Sequence, residues 1–153
     1  MSELHGRLDA LAGLLRNLLE TITREGEALQ KGDAEALPEL TTTKEQHARA
    51  LASAWTALTD QLGLPSPVSR QSIEQALHAR SDPLLTEAWS RILGLVGETE
   101  RMNRLNGRLI EEQLSRTQSA LEILQSAASQ HALYGADGHS MELTSPQRSI
   151  DEA

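Results

Sequence analysis

Residues 82–131 read DPLLTEAWSRILGLVGETERMNRLNGRLIEEQLSRTQSALEILQSAASQH, and this stretch decides the fold. It is entered through Ser81-Asp82-Pro83. Asp82 is suited to cap the first free amides of a helix, and Pro83 fits the first helical turn. No further proline occurs before Pro146. Along the stretch one stripe recurs at spacings of four and three: Leu85, Trp89, Ile92, Val96, Thr99, Asn103, Asn106, Ile110, Gln113, Thr117, Ala120, Leu124 and Ala127. Such a repeat is the seam of a long helix packed along other helices. At about 1.5 Å per residue the helix reaches roughly 70 Å. No compact globule covers that length, so the rest of the chain must lie alongside it or leave part of it free.

Working outward, residues 3–30 carry Leu4, Leu8, Leu11, Leu15, Leu18, Ile22 and Leu29 at helical spacing, with Glu25 in the skipped place. Leu14 and Leu19 widen the stripe, so this helix faces more than one neighbour. Gly6, Gly13 and Gly26 each weaken it by about 1 kcal/mol relative to alanine. Gly32 suits a left-handed helix stop and Asp33 a new cap, and so short a loop forces an antiparallel hairpin. The second helix is expected over residues 34–62, striped by Leu37, Leu40, Lys44, His47, Leu51, Ala54, Leu58 and Leu62, with Trp55 on the flank and Pro38 near its start. Gly63-Leu64-Pro65-Ser66-Pro67 excludes helix. Residues 69–80 form a short helix with Ile73, Ala76 and Leu77 inward, expected to fold over one end of the bundle. The fourth helix spans 83–131. The fold is therefore all-α: an antiparallel helical bundle or coiled coil over residues 1–131, built on one long C-terminal helix. A flexible tail is expected over 132–153, because that segment is too polar to offset its ordering entropy.

Composition agrees. The chain of 153 residues has no Cys, no Phe, one Tyr and two Trp, so its core must be built from Leu, Ala and Ile, as suits layered helices. The absence of Cys excludes disulfides and thiol chemistry. A net charge of −8 argues against nucleic acid as the main partner. The acidic, helically periodic N-terminus lacks a signal pattern and no apolar run is long enough to span a membrane, so a cytoplasmic location is expected.

No catalytic constellation is present. His5, His47, His78, His131 and His139 are scattered, with no helical metal pair among them. Glu111 and Glu112 are adjacent and diverge around the helix. No phosphate loop, nucleophile elbow or Glu-x-x-His metal motif occurs. The expectation is a binding protein without catalytic residues, metal, cofactor or small-molecule substrate.

Three features have two readings each. Lys44 and His47 lie on the second helix's seam. They sit most simply at its edge, with Lys44 snorkelling past the apolar stripe; alternatively they fix register or meet a partner carboxylate. Arg101, Arg104 and Arg108 form a solvated row, or one that receives an acidic surface. The long helix's seam turns polar at Thr99, Asn103, Asn106, Gln113 and Thr117. Either these residues control register, or this half is shared with a partner. The hairpin helices are much shorter than the long one, which favours sharing.

The order of a leucine-rich hairpin, a proline-containing linker, a long helix with Asn103-Arg104-Leu105-Asn106-Gly107-Arg108-Leu109-Ile110, then Leu133-Tyr134-Gly135-Ala136-Asp137-Gly138 and a polar end resembles the FlgN-type flagellar export chaperones. The resemblance covers nearly the whole chain. It implies a cytoplasmic type III secretion chaperone that binds hook–filament junction proteins, prevents their premature assembly and delivers them to the export gate protein at the membrane. It implies client recognition in the C-terminal region, for which Leu133, Met141, Leu143, Ile150, Asn103 and Asn106 are the candidates. It also implies a gate-docking tyrosine, for which Tyr134 is the candidate. The alternative is a structural or scaffolding helical bundle, homodimeric through the long helix and without an export client.

Overall fold

The computed structural model describes residues 2–134. Among them there are four helices and no strand: α1 (Glu3–Lys31), α2 (Leu37–Gln61), α3 (Arg70–His78) and α4 (Pro83–Tyr134). The all-α fold on one long C-terminal helix is as expected. α4 has 52 residues and runs unbroken through Gly107, three residues past the expected end at His131. The remainder of the expected tail lies outside the described residues. The chain divides into two compact units, Met1–Ile110 and Glu111–Ala153.

The helix ends follow local chemistry. Ser2 caps α1 by accepting from the His5 amide. Gly32, at φ 69°, ends it in the left-handed conformation, and the Asp33 amide returns to the Ala28 carbonyl at 2.9 Å, a Schellman closure. Asp33 was expected to cap α2. Its carboxylate instead accepts from the Ala36 amide at 3.3 Å, closing a turn ahead of the helix, which begins three residues later than expected. Pro38 accounts for this: it has no N–H to close a helical turn on Ala34, and it sits in the first turn, where that donor is not needed. Ser69 and Ser72 form a reciprocal capping box at α3. Asp82 Oδ1 accepts from the Leu84 amide at 3.0 Å, as the sequence implied.

In the first unit the core is aliphatic apart from one tryptophan. Leu4, Leu8, Leu11 and Leu15 of α1 meet Leu58 of α2, Ile73 and Leu77 of α3, and Leu85, Trp89 and Ile92 of α4. The short helix thus inserts its two large apolar residues among those of the other three. Nearer the α1–α2 turn the packing becomes polar. Asn106 of α4 is 1% exposed. Its Nδ2 donates to the Ile22 carbonyl at 2.7 Å and to Glu25 Oε1 at 3.0 Å. The Lys44 ammonium donates to both Glu25 carboxylate oxygens at 3.2 Å. Lys44 is therefore not simply snorkelling at an edge. It crosses to α1 and compensates a carboxylate that α1 buries.

Gly26, which the sequence marks only as a weak point in α1, is where Asn106 lies. A Cβ there would stand 2.6 Å from Asn106 Oδ1. That oxygen is itself buried without a hydrogen-bond partner, so the amide has no slack to turn without losing its two donated bonds. Gly26→Ala should therefore lower the melting temperature, despite a gain in helix propensity of about 1 kcal/mol. Asn106→Ala alone should cost about 1–3 kcal/mol, because Glu25 loses a donor while remaining buried. In the Asn106→Ala background Gly26→Ala should become neutral or stabilising. Thermal denaturation of the four proteins in this cycle measures the coupling, and additive effects would contradict the contact.

Two apolar surfaces as candidate binding sites

The first surface lies within the first unit. α1, α2 and α4 leave a cleft of about 690 Å³ between them. Leu11 and Leu15 form its floor, Leu51 and Trp55 one wall, and Leu93 and Val96 the other. It stays open because small residues stand where large ones would close it: Ala48 and Ala52 on α2, Gly97 on α4. A Cβ on Gly97 would meet nothing within 4 Å. Trp55 and Trp89 stack inside the cleft, with centroids 6.3 Å apart and planes inclined by 29°. Trp89 Nε1 donates to Glu74 Oε1 at 3.3 Å, and Arg70 Nε donates to the same oxygen at 2.7 Å. The Arg70 hydrogen bond, aided by the bond from Trp89, holds the Glu74 carboxyl below its usual pKa, with desolvation opposing. Glu74 thus stays an acceptor and fixes the indole edge.

The second surface lies on α4 within the unit Glu111–Ala153. Leu114, Leu121, Ile123 and Leu124 are 53–68% exposed. Leu114, Thr117, Leu121 and Leu124 follow one another at spacings of three and four, so they share one face of the helix. Arg116 and Glu122 are the only charged residues between positions 113 and 129. An exposed row of leucines with few charges beside it is the kind of surface through which helices associate.

The residues nominated from sequence fall in different settings. Asn103 is exposed on α4. Asn106 is not at an open surface: it is buried and committed to α1, so it serves the fold. Leu133 and Tyr134 lie in the last turn of α4, and their side chains are outside the described residues. Met141, Leu143 and Ile150 lie outside the described residues altogether. The structure therefore brings no two of these candidates together. Sequence reasoning missed Leu114 and Leu121, although their seven-residue separation and Leu124 three residues on were available signals. It also placed Trp55 only on a flank, whereas the residue lines the cleft. Arg101, Arg104 and Arg108 are exposed, in keeping with a solvated row.

Among the described residues no cluster of three or more His, Asp or Glu is arranged to hold a metal ion, and no helix is long and apolar enough to cross a membrane. What the geometry offers is apolar helical surface.

Comparison with known proteins gives the same direction. The FlgN protein family matches over residues 1–141. The flagella synthesis protein FlgN of Proteus mirabilis is 30% identical over 155 aligned residues, covering 98% of this chain and 94% of that protein. Its namesake in Escherichia coli strain K12 is 28% identical, with 90% of each chain covered. No solved structure matches. A helical hairpin, a short third helix and one long fourth helix, matched to this family along nearly the whole sequence, establish that the chain belongs to the FlgN family and has a role connected with flagella.

Proposed function

We propose that this protein is a cytoplasmic type III export chaperone. It binds hook–filament junction proteins before export, keeps them from assembling early and delivers them to the flagellar export gate protein. The observation that carries this reading is the exposed row Leu114, Thr117, Leu121 and Leu124 on α4, in a chain whose relatives are named flagella synthesis proteins.

The physical logic is helix pairing. Junction proteins polymerise through amphipathic terminal helices, which are unpaired before assembly. A chaperone with an uncovered leucine row hides that surface by laying one helix against another. Among the described residues the row is exposed, so covering it brings a gain in apolar burial of about 25 cal/mol per Å² before ordering costs are subtracted. Affinity obtained this way is moderate and reversible, as suits a cargo that must be handed on. The task needs no covalent chemistry, cofactor or metal, and the protein acts by binding. Leu133, Met141, Leu143 and Ile150 extend the client-binding segment along the sequence beyond the row, Asn103 is an exposed polar candidate in the first unit, and Tyr134 docks at the gate.

Calorimetric titration with the C-terminal helical segment of a hook–filament junction protein tests this. The full chain should bind. Leu121→Glu combined with Leu124→Glu should weaken binding by roughly tenfold or more, with helicity and melting temperature nearly unchanged because both side chains are already exposed. A chain ending at Gln130 should fold normally and bind the client more weakly, because it keeps the row and loses the segment that extends it. If the row variant binds like the parent, the row is not the client site. If the folded full chain does not bind, the client assignment fails, and mass measurement across concentrations then asks whether the row pairs two copies instead. Tyr134→Ala should keep client binding and impair delivery to the gate; loss of client binding in the purified variant would remove Tyr134 from gate docking.

A further inference from the structure

The cleft between α2 and α4 is not used by the reading above, which rests on α4 beyond residue 110. We infer that this cleft is a second, separate docking site, and that its occupant is a basic amphipathic helix of a partner protein. The inference does not depend on the client assignment.

Three observations carry it. The first is shape. The cleft is about 690 Å³ and partly open to solvent, larger than one side chain needs. Its two rims carry Ala48, Ala52 and Gly97, which admit a helix backbone close to the floor. The second is incompleteness. Of the 25 residues of α2 only Leu58 and Thr59 are buried. Leu51 and Trp55 remain half-buried, and Leu93 and Val96 face them in the same condition. α2 and α4 thus present half-buried apolar side chains to an open cleft that Arg70 of α3 also lines.

The third is charge. Two charged residues stand at the cleft, Arg70 and Glu100. Arg70 is neutralised by Glu74 at 2.7 Å. Glu100 is exposed and has no ion pair among the described residues. The residual charge at the rim is therefore negative, on a chain of net charge −8. A lysine or arginine on the flank of an incoming helix meets Glu100 directly, and the overall field attracts it at long range. An acidic helix of the same apolar pattern is repelled by both.

The protein carries its own reporter. Trp55 and Trp89 are its only two tryptophans, and both line the cleft, so tryptophan emission reads occupancy without labelling. The experiment uses the full chain and two synthetic helices of about 18 residues with one leucine face, one flanked by lysine and the other by glutamate. The lysine helix should shift the emission to the blue and saturate. The glutamate helix should bind roughly three- to fivefold more weakly at low salt, the range of a single rim ion pair, with the difference fading as salt rises. Glu100→Lys should reverse the preference.

Gly97→Leu should weaken the lysine helix by roughly tenfold or more by filling the cleft. This variant should melt no lower than the parent, because leucine has the better helix propensity and the position is open. Failure of both helices to move the emission overturns the proposal, as does equal binding of the two or undiminished binding to Gly97→Leu. Emission that changes with protein concentration alone would give the cleft to a second copy. Emission that differs between the full chain and one ending at Tyr134 would give it to residues 135–153. Either result overturns a partner helix as the occupant.

Discussion

The first unit depends on a carboxylate buried in a helix–helix seam. Glu25 has 7% of its side chain exposed, and an unpaired carboxylate there would cost several kcal/mol. Two groups from different helices prevent this: the Lys44 ammonium of α2 and the Asn106 amide of α4. Neither group can slide by one turn, about 5.4 Å, without leaving Glu25 uncompensated. Leucine stripes are nearly degenerate under such a slide, because one leucine replaces another. The polar cluster is not degenerate. It sets the register of three helices at one level of the bundle, at the expense of one orphaned oxygen on Asn106 and of a residue without a side chain at position 26.

Register fixed at that level lets the rest of the unit be loosely packed. With aromatics at 2% of the chain, the core has few side chains large enough to close gaps between helix axes. Its two tryptophans are placed together, stacked between α2 and α4 and held by the Glu74 carboxylate at one edge. Small residues flank them at Ala48, Ala52 and Gly97. An open cleft in a compact unit usually signals weak packing. Here its bottom is a well-buried aliphatic layer of Leu11, Leu15 and Ile92, so stability and openness are separated by depth: the layer beneath holds the fold and the layer above stays available.

Much of this was readable from residue spacing, and the failures have physical causes. The helix ends at Gly32 and at Asp82-Pro83 were readable because capping is local chemistry. The start of α2 was not, because Asp33 and Pro38 give competing local signals and the proline prevailed. Asn106 was visible as a polar residue on an apolar seam. One sequence does not say whether that part of the seam is covered, however, and a covered asparagine serves register while an uncovered one offers a contact. Gly26 looked like a defect because the reason for it lies on a helix 80 positions away in the chain. Leu114 and Leu121 were passed over because the stripe was carried forward at a strict seven-residue repeat. A straight helix drifts about 20° per heptad from that repeat. From Leu85 to position 113 the accumulated error approaches one residue step, so the apolar face falls on Leu114 and Leu121 rather than on Gln113 and Ala120.

The same drift bears on why the two parts of α4 differ in what they can do. Up to Asn106 the inward face is held by contacts of fixed register, and a buried amide ties it to α1. In the unit that begins at Glu111 the leucine row is exposed, and Arg116 and Glu122 are the only charges near it through residue 129. A surface of that kind pairs with other helices by shape and apolar pattern more than by a particular sequence. The cleft in the first unit has the opposite character. It is concave, bounded by small residues and signed by Glu100, so it discriminates by fit and by charge. One chain thus carries an exposed helical row and a concave groove marked by charge in separate compact units.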